Sequence, residues 1–228
     1  MSNEEKPKRK PFITCGELII TVVIIVVLIV FVIPFFENRR KEFSQQRHCE
    51  IKMGQLYQAL HCYHDEHQSF PPAYTVDAEG KPLHSWRVLV LPYLKAEKLY
   101  QDIRLDEPWD SEFNQQFHDQ MPNAFACPVA SLKIGETNYM AMTGPATFFP
   151  GSECRAWDDP ALDLETNILL VETATGTCWM APVDISVKDM PHVCNYHSDG
   201  GHIVIDGTVE YVKANEVLNA KHKMQNTE

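Results

Sequence analysis

Hydrophobic positions are spaced along this chain in three different ways. Leu18 to Phe36 is a run of 19 residues without a charge, interrupted only by Thr21 and Pro34. At about 1.5 Å per helical residue it would span ~28 Å, close to the ~30 Å hydrocarbon core of a bilayer. From Glu37 the pattern becomes amphipathic. Cys49, Met53, Leu56, Leu60, Tyr63 and His67 recur at alternating steps of four and three, which is one face of an α-helix. Gly54 falls off that stripe, and Pro71 and Pro72 end it because neither can continue a helix. The pattern predicts one long helix from the apolar run to about His67, with a mild bend at Pro34.

Further on, "HSWRVLVLPYLKAEKLYQDI" reads as two short helices around Pro92, although "WRVLVL" also fits a strand. "PWDSEFNQQFHDQMP" reads as a helix capped near Asp110 or Ser111, with Phe113 and Phe117 on one side. The third spacing is that of strands. "TNYMAMTG", "TNILLVETA" and "GGHIVIDGTVEYV" are short, β-rich and bounded by Gly, Pro and Asn. In the last of these, Asp206-Gly207 predicts a hairpin, because a type I′ turn needs positive φ at both central positions. That register sets Ile205 opposite Thr208, Val204 opposite Val209, Ile203 opposite Glu210 and His202 opposite Tyr211. Asp199-Gly200-Gly201 reads as a second turn leading in, and "ANEVLNAKHKMQ" as a terminal helix. A long N-terminal helix, then helical turns, then an antiparallel sheet make an α+β arrangement.

Charge narrows the function classes. Setting aside Glu4, Glu5 and Glu17 leaves 28 of the 31 acidic residues; setting aside Lys6, Lys8, Arg9 and Lys10 leaves 16 of the 20 basic ones. So acidic a domain lacks the basic footprint of a nucleic-acid binder. The apolar run is longer than the roughly 7–15 residues of a signal peptide and ends "VIPFFENRRKEF", with no small-x-small cleavage site. The expected organisation is a basic cytoplasmic tail at 1–11, a transmembrane anchor at 12–36 and one domain at 37–228. Lys and Arg flank both sides of the anchor, so they set no orientation. Cys49, Cys62, Cys127, Cys154, Cys178 and Cys194 are an even set at wide spacing, which suits disulfides in an oxidising compartment without fixing their connectivity. Reduced, buried thiols are the alternative.

"LYQALHCYHDEHQSFPPAYTVDAEGKPLHSWRVLVLPYL", "YQDIRLDEPWDS" and "FACP" resemble a bacterial, planctomycete-type family of pilin-like proteins of unknown function. The signature residues are His61, His64 and Asp65 at the helix end, Phe70, Pro71 and Pro72 after it, and His197 with Asp206-Gly207 near the C-terminus. Eight residues separate His197 from Asp206 where the family usually has nine. The resemblance implies a pilin-like fold, a long N-terminal helix packed on a small antiparallel sheet. It also implies a prepilin-type N-terminal segment in which Glu17 takes the place of the mature chain's fifth-position glutamate. Phe12 then stands before the cut, where prepilin peptidases need a small residue, so the tail is expected to stay on. Glu17 is expected to be an interfacial residue at the edge of the anchor. The implied role is that of a pseudopilin-like envelope protein of the bacterial inner membrane, its domain extracytoplasmic, its partners envelope, secretion or pilus-like assembly proteins.

Candidate chemistry is sparse. Cys194 and His197 stand three apart, with His192 and His202 nearby, but zinc sites of this kind pair two such close-spaced duos and no second one is evident. His61, His64 and His67 follow at steps of three on one helix, so at most two could share a ligand comfortably, and His61 is expected to fold onto the sheet. No zincin, nucleophile-elbow, Walker or dinucleotide motif occurs. No enzyme, metal or cofactor is expected. Two alternatives remain: a ligand-binding domain with a carbohydrate or small-molecule groove at Trp157, Trp179, Asp158 and Asp159, and a metal-dependent hydrolase built on the histidines.

Overall fold

The computed structural model describes residues 14–162, 168–192, 200–205 and 207–213, in two compact units, Met1–Ser44 and Gln45–Glu228. The first unit is helical. Helix α1 (Cys15–Val27) is followed by a π-helical turn (Leu28–Val32), and α2 (Ile33–His67) begins next. Thr14 and Glu17 form a capping box at the start of α1: the Glu17 amide donates to Thr14 Oγ1, and the Thr14 amide donates to Glu17 Oε2 at 2.9 Å. Two amides that open the helix are thereby satisfied, and Glu17 has a local role in starting the helix. A π turn precedes Pro34, where a bend was expected. Proline lacks an N–H and its ring crowds the carbonyl four residues back, here that of Val30, so the helix widens over the turn before Pro34. The large apolar side chains described from Leu18 to Phe36 are all exposed. Among the described residues, Cys15–His67 is the one helix long and apolar enough to cross a membrane.

In the second unit α2 buries the predicted stripe at Cys49, Met53, Leu56 and Leu60, joined by Ala59. Tyr63 is half-buried and His67 is exposed, its ring tilted against that of Tyr63 at 4.1 Å between ring centres. The helix stops one residue later, where Gln68 takes φ 58° and its amide donates to the His64 carbonyl at 2.7 Å. A small hairpin, β1 (Tyr74–Val76) with β2 (Pro82–Ser85), leads into α3 (Trp86–Leu89), a 3₁₀ turn at Leu91–Leu94 and α4 (Glu97–Asp102). "WRVLVL" is thus helical, opened by Ser85 accepting from the Arg87 amide. The helix expected around Phe113 is a 3₁₀ segment, Asn114–Gln120. Its first residue explains the tighter form. The buried Asn114 side chain accepts from the Arg104 amide and donates to the carbonyls of Arg104, Glu107 and Pro108, which ties the segment to the preceding loop.

The main sheet has strand order β5-β3-β4-β6-β7, from β3 (Glu136–Thr143), β4 (Ile168–Cys178), β5 (Ile185–Ser186), β6 (Gly200–Ile205) and β7 (Thr208–Lys213). All neighbours are antiparallel except β3 and β5. The β6–β7 register is the predicted one at all four expected pairs. Gly200 and Gly201 do not form a turn; they are strand residues opposite Lys213 and Val212. A Cβ on Gly200 would collide with the Val212 carbonyl oxygen, so the glycine serves close strand approach. One sheet face carries Tyr139, Ala141, Leu170 and Val204 into the main core with the α2 stripe. The other carries Met140, Met142, Ile168, Val171 and Ile203 into a smaller cluster. The architecture is α+β, with a long N-terminal helix and small antiparallel sheets. The predicted terminal helix, Cys194, His197 and Asp206 lie outside the described residues.

Candidate functional site: a buried polar stripe across the sheet

Strand alternation places polar side chains side by side on the face that meets α2. Tyr139 pairs with Glu172 across β3 and β4, and His202 pairs with Tyr211 across β6 and β7. Glu172 closes the gap between them. Its Oε2 accepts from the His202 ring Nδ1 at 3.1 Å and from the His202 amide at 3.3 Å. From above, α2 lowers Cys49 and the segment after the 3₁₀ turn Asn123–Phe125 supplies Cys127. The Cys127 thiol donates to Glu172 Oε1 at 3.1 Å, and the two sulfurs are 3.4 Å apart.

Every member is buried: Cys49, Tyr139 and Glu172 have no exposed surface, and His202 and Cys127 keep 3% and 7%. A carboxylate taken out of water needs donors around it, and His202 and Cys127 supply them. The electrostatics separate the two thiols. Donating to Cys127, together with burial, pushes the Cys49 thiol far up, whereas accepting that bond holds Cys127 below the usual thiol range. Burial, and then the neighbouring Cys127, Cys49 and Glu172, push the Tyr139 phenol up. Its hydroxyl has no partner that meets hydrogen-bond geometry. One ligand atom from each of Cys49, Cys127 and Glu172 lies within 4.8 Å of the others, so these three are the described residues able to share a soft metal ion.

The residues singled out in the sequence stand elsewhere. His61 bonds Asp65 at 3.1 Å, both partly or largely exposed, and contacts Tyr57 and Trp157; it does not fold onto the sheet. Its hydrogen-bond partner is Asp65, four residues on along the same helix. His64 lies against Phe70 and Trp157, where burial lowers its pKa and leaves Nε2 without a hydrogen-bond partner. Phe70, Pro71 and Pro72 are buried, and Phe70 meets Phe148 and Trp157 at 4.7 Å each. Its amide donates to the Arg155 carbonyl at 2.7 Å. Gly207 has φ 79°, as the hairpin needs. The Trp157–Trp179 groove is not formed, because Trp179 is fully buried and stacked on Phe125. Disulfides are likewise absent among the described residues, where Cys15, Cys49, Cys62, Cys127, Cys154 and Cys178 are thiols.

Sequence reasoning missed Glu172, His202 and the Cys49–Cys127 pair as a unit. The usable signal was Glu172 itself, a charge in the middle of the apolar strand "ILLVETA". A second buried pair was equally hidden: Arg87 donates to Asp184 at 2.7 Å and to the Tyr139 carbonyl. Asp184 also accepts from Trp86 and the Ala141 amide, while burial raises its pKa against the pull of Arg87. It borders an open groove of about 420 Å³ with Tyr74, Thr143 and Gly151.

An α+β domain with a buried polar stripe, in a chain that also carries an exposed apolar helix, defines a class by architecture and leaves the activity open. Residues 44–181, more than half of the chain, match the family described as "Protein of unknown function (DUF1559)", and the protein belongs to that family. No curated protein and no solved structure matches it.

Proposed function

We propose that this protein is a membrane-anchored, pseudopilin-like component of the bacterial envelope, inserted once in the inner membrane with its acidic domain outside. Its role in this reading is structural or interactive, with envelope or secretion-type assembly proteins as partners, and not enzymatic. One observation carries it. The apolar segment from Leu18 to Phe36 is helical and leaves its described large apolar side chains exposed. A helix apolar on every side matches lipid and not water. The signature residues support the rest: Phe70, Pro71 and Pro72 are packing groups, and His61 and Asp65 form a surface ion pair. The Thr14–Glu17 capping box gives Glu17 a partner within its own chain. It therefore needs no cleaved amine, consistent with Phe12 blocking processing.

The test is fractionation of the full chain and of a chain lacking residues 14–36. The full chain should stay with membranes through an alkaline carbonate wash, and the shortened one should be recovered in the supernatant. A membrane-impermeant protease should then remove the domain from the outside of spheroplasts. Full-length protein in the supernatant would overturn the anchor; a protected domain would overturn the orientation.

A further inference from the structure

We propose that Cys49 and Cys127 are a cross-link site: a disulfide joins α2 to the segment that follows Phe125 when the domain is exposed to an oxidising thiol–disulfide pool. The inference rests on the extracytoplasmic placement only for where the bond forms; the pairing stands on geometry.

The two sulfurs are 3.4 Å apart in the core. A disulfide has a sulfur–sulfur bond of about 2.05 Å, so each atom needs to move by only about 0.7 Å. The other described cysteines have different surroundings. Cys15 and Cys154 are exposed, Cys62 accepts a bond from Gln58 on its own helix, and Cys178 is half-buried at the end of β4.

The chemistry is asymmetric. Cys127 is the member with exposed surface and Cys49 has none. Cys127 also ionises first, because the Cys49 thiol donates to it. In the first step the Cys127 thiolate attacks one sulfur of an incoming low-molecular-weight or protein disulfide. A mixed disulfide forms and one thiolate leaves. In the second step Cys49 gives up its proton and attacks the Cys127 sulfur, and the second thiolate leaves. Two protein thiols are oxidised by two electrons, the incoming disulfide is reduced to two thiols, and the two protons end on those thiols.

The surrounding stripe accommodates the product. Oxidation removes the S–H that Glu172 Oε1 accepts, which would strand one side of a buried carboxylate. Tyr139 is the cross-strand neighbour of Glu172, and its buried hydroxyl lies close enough to the Cys49 thiol to interact with it but makes no hydrogen bond of good geometry in the thiol form. Turned toward Glu172, that hydroxyl would replace the lost S–H.

The experiment uses the full chain in detergent, equilibrated with oxidised and reduced glutathione, then trapped by alkylation, digested without reduction and mapped by mass spectrometry. One peptide linking Cys49 to Cys127 should appear, and Tm should fall by about 5–15 °C when the bond is reduced. Cys49→Ser should leave a glutathione adduct on Cys127, and Cys127→Ser should leave Cys49 unmodified. The opposite assignment of the adduct, free thiols at both positions, or one zinc ion retained on two thiolates in native mass spectrometry overturns the proposal. The same mapping on freshly isolated membranes separates the two readings. A pair that links in glutathione but is reduced in membranes, in a domain that protease does not reach from outside, sinks the extracytoplasmic placement. A domain cleaved from outside whose pair is unlinked sinks the cross-link.

Discussion

Glu172 on β4 and His202 on β6 hold each other in the core, Oε2 to Nδ1 at 3.1 Å, with the His202 amide bonded to the same oxygen. Such a pair is worth little when compared with a well-packed apolar substitute. Removing one partner is costly, because the other stays buried without its bond. Glu172→Ala should therefore destabilise the domain by about 3–5 kcal/mol, and Glu172→Gln, which keeps one acceptor, by about 1–3 kcal/mol. Urea unfolding of both variants checks this. An alanine variant as stable as wild type would mean that the stripe contributes nothing to folding.

The family signature divides into a packing half and a surface half. Phe70 is fully buried among Phe148, Phe149 and Trp157. Phe70→Ala should cost about 3–5 kcal/mol, the usual toll of a large cavity. The His61–Asp65 pair has side chains 40% and 64% exposed, so His61→Ala should cost less than about 1 kcal/mol. Chemical denaturation of the two variants side by side reads the contrast. A His61 cost matching that of Phe70 would argue that His61 has a role beyond the helix surface.

What was legible in the residues was whatever depends on short-range period. The α2 stripe, the strands and the four β6–β7 pairs all follow from spacing, because side chains alternate every two residues in a strand and recur every three or four in a helix. Asn114 was misread for the opposite reason. Its propensity is decided by four bonds to a loop up to ten residues away, so the expected α-helix is a 3₁₀ segment. Gly200 and Gly201 were misread as a turn because a glycine pair does not reveal whether it permits a bend or a close strand contact. The polar stripe was invisible as a unit. Cys49 and Cys127 are 78 positions apart and Glu172 and His202 30 apart, so only tertiary packing brings the thiols together and only the β4–β6 pairing joins the other two.

Acid should weaken the domain through His84. Its Nε2–H donates to the Arg104 carbonyl at 3.1 Å, while Nδ1 is buried without a partner, and burial lowers its pKa below 6.5. His64 is shifted in the same direction, also by burial. The folded chain thus binds fewer protons than the unfolded one near pH 6. Stability is complete above the unfolded value and falls as pH drops through it, by at most ~1.4 kcal/mol per pH unit for each histidine. Asp184, raised by burial, acts with the opposite sign, so the difference between proteins is the informative quantity. Between pH 7.5 and 5.5, wild type should lose more stability than His84→Gln, which keeps a donor toward Arg104. Parallel losses in urea titrations would show that His84 charges freely in the fold.

Gly207 is required by two separate effects, and a double-mutant cycle can separate them. Its φ of 79° is strained for any residue with a side chain, at about 1–2 kcal/mol. A Cβ there would also come 2.6 Å from the Tyr57 hydroxyl and 3.1 Å from the carbon that bears it. Gly207→Ala should cost more than the backbone strain alone. Tyr57→Phe removes the nearest atom, and by itself should change little because Tyr57 is only half-buried. In combination it should recover part of the alanine cost, leaving a coupling of about 0.5–1 kcal/mol and the φ strain as the remainder. Gly207→Val should be the most damaging, since a β-branched side chain adds bulk at the same conformation. If the Ala and Phe effects simply add, the Tyr57 ring moves aside at no cost and the turn conformation alone demands glycine.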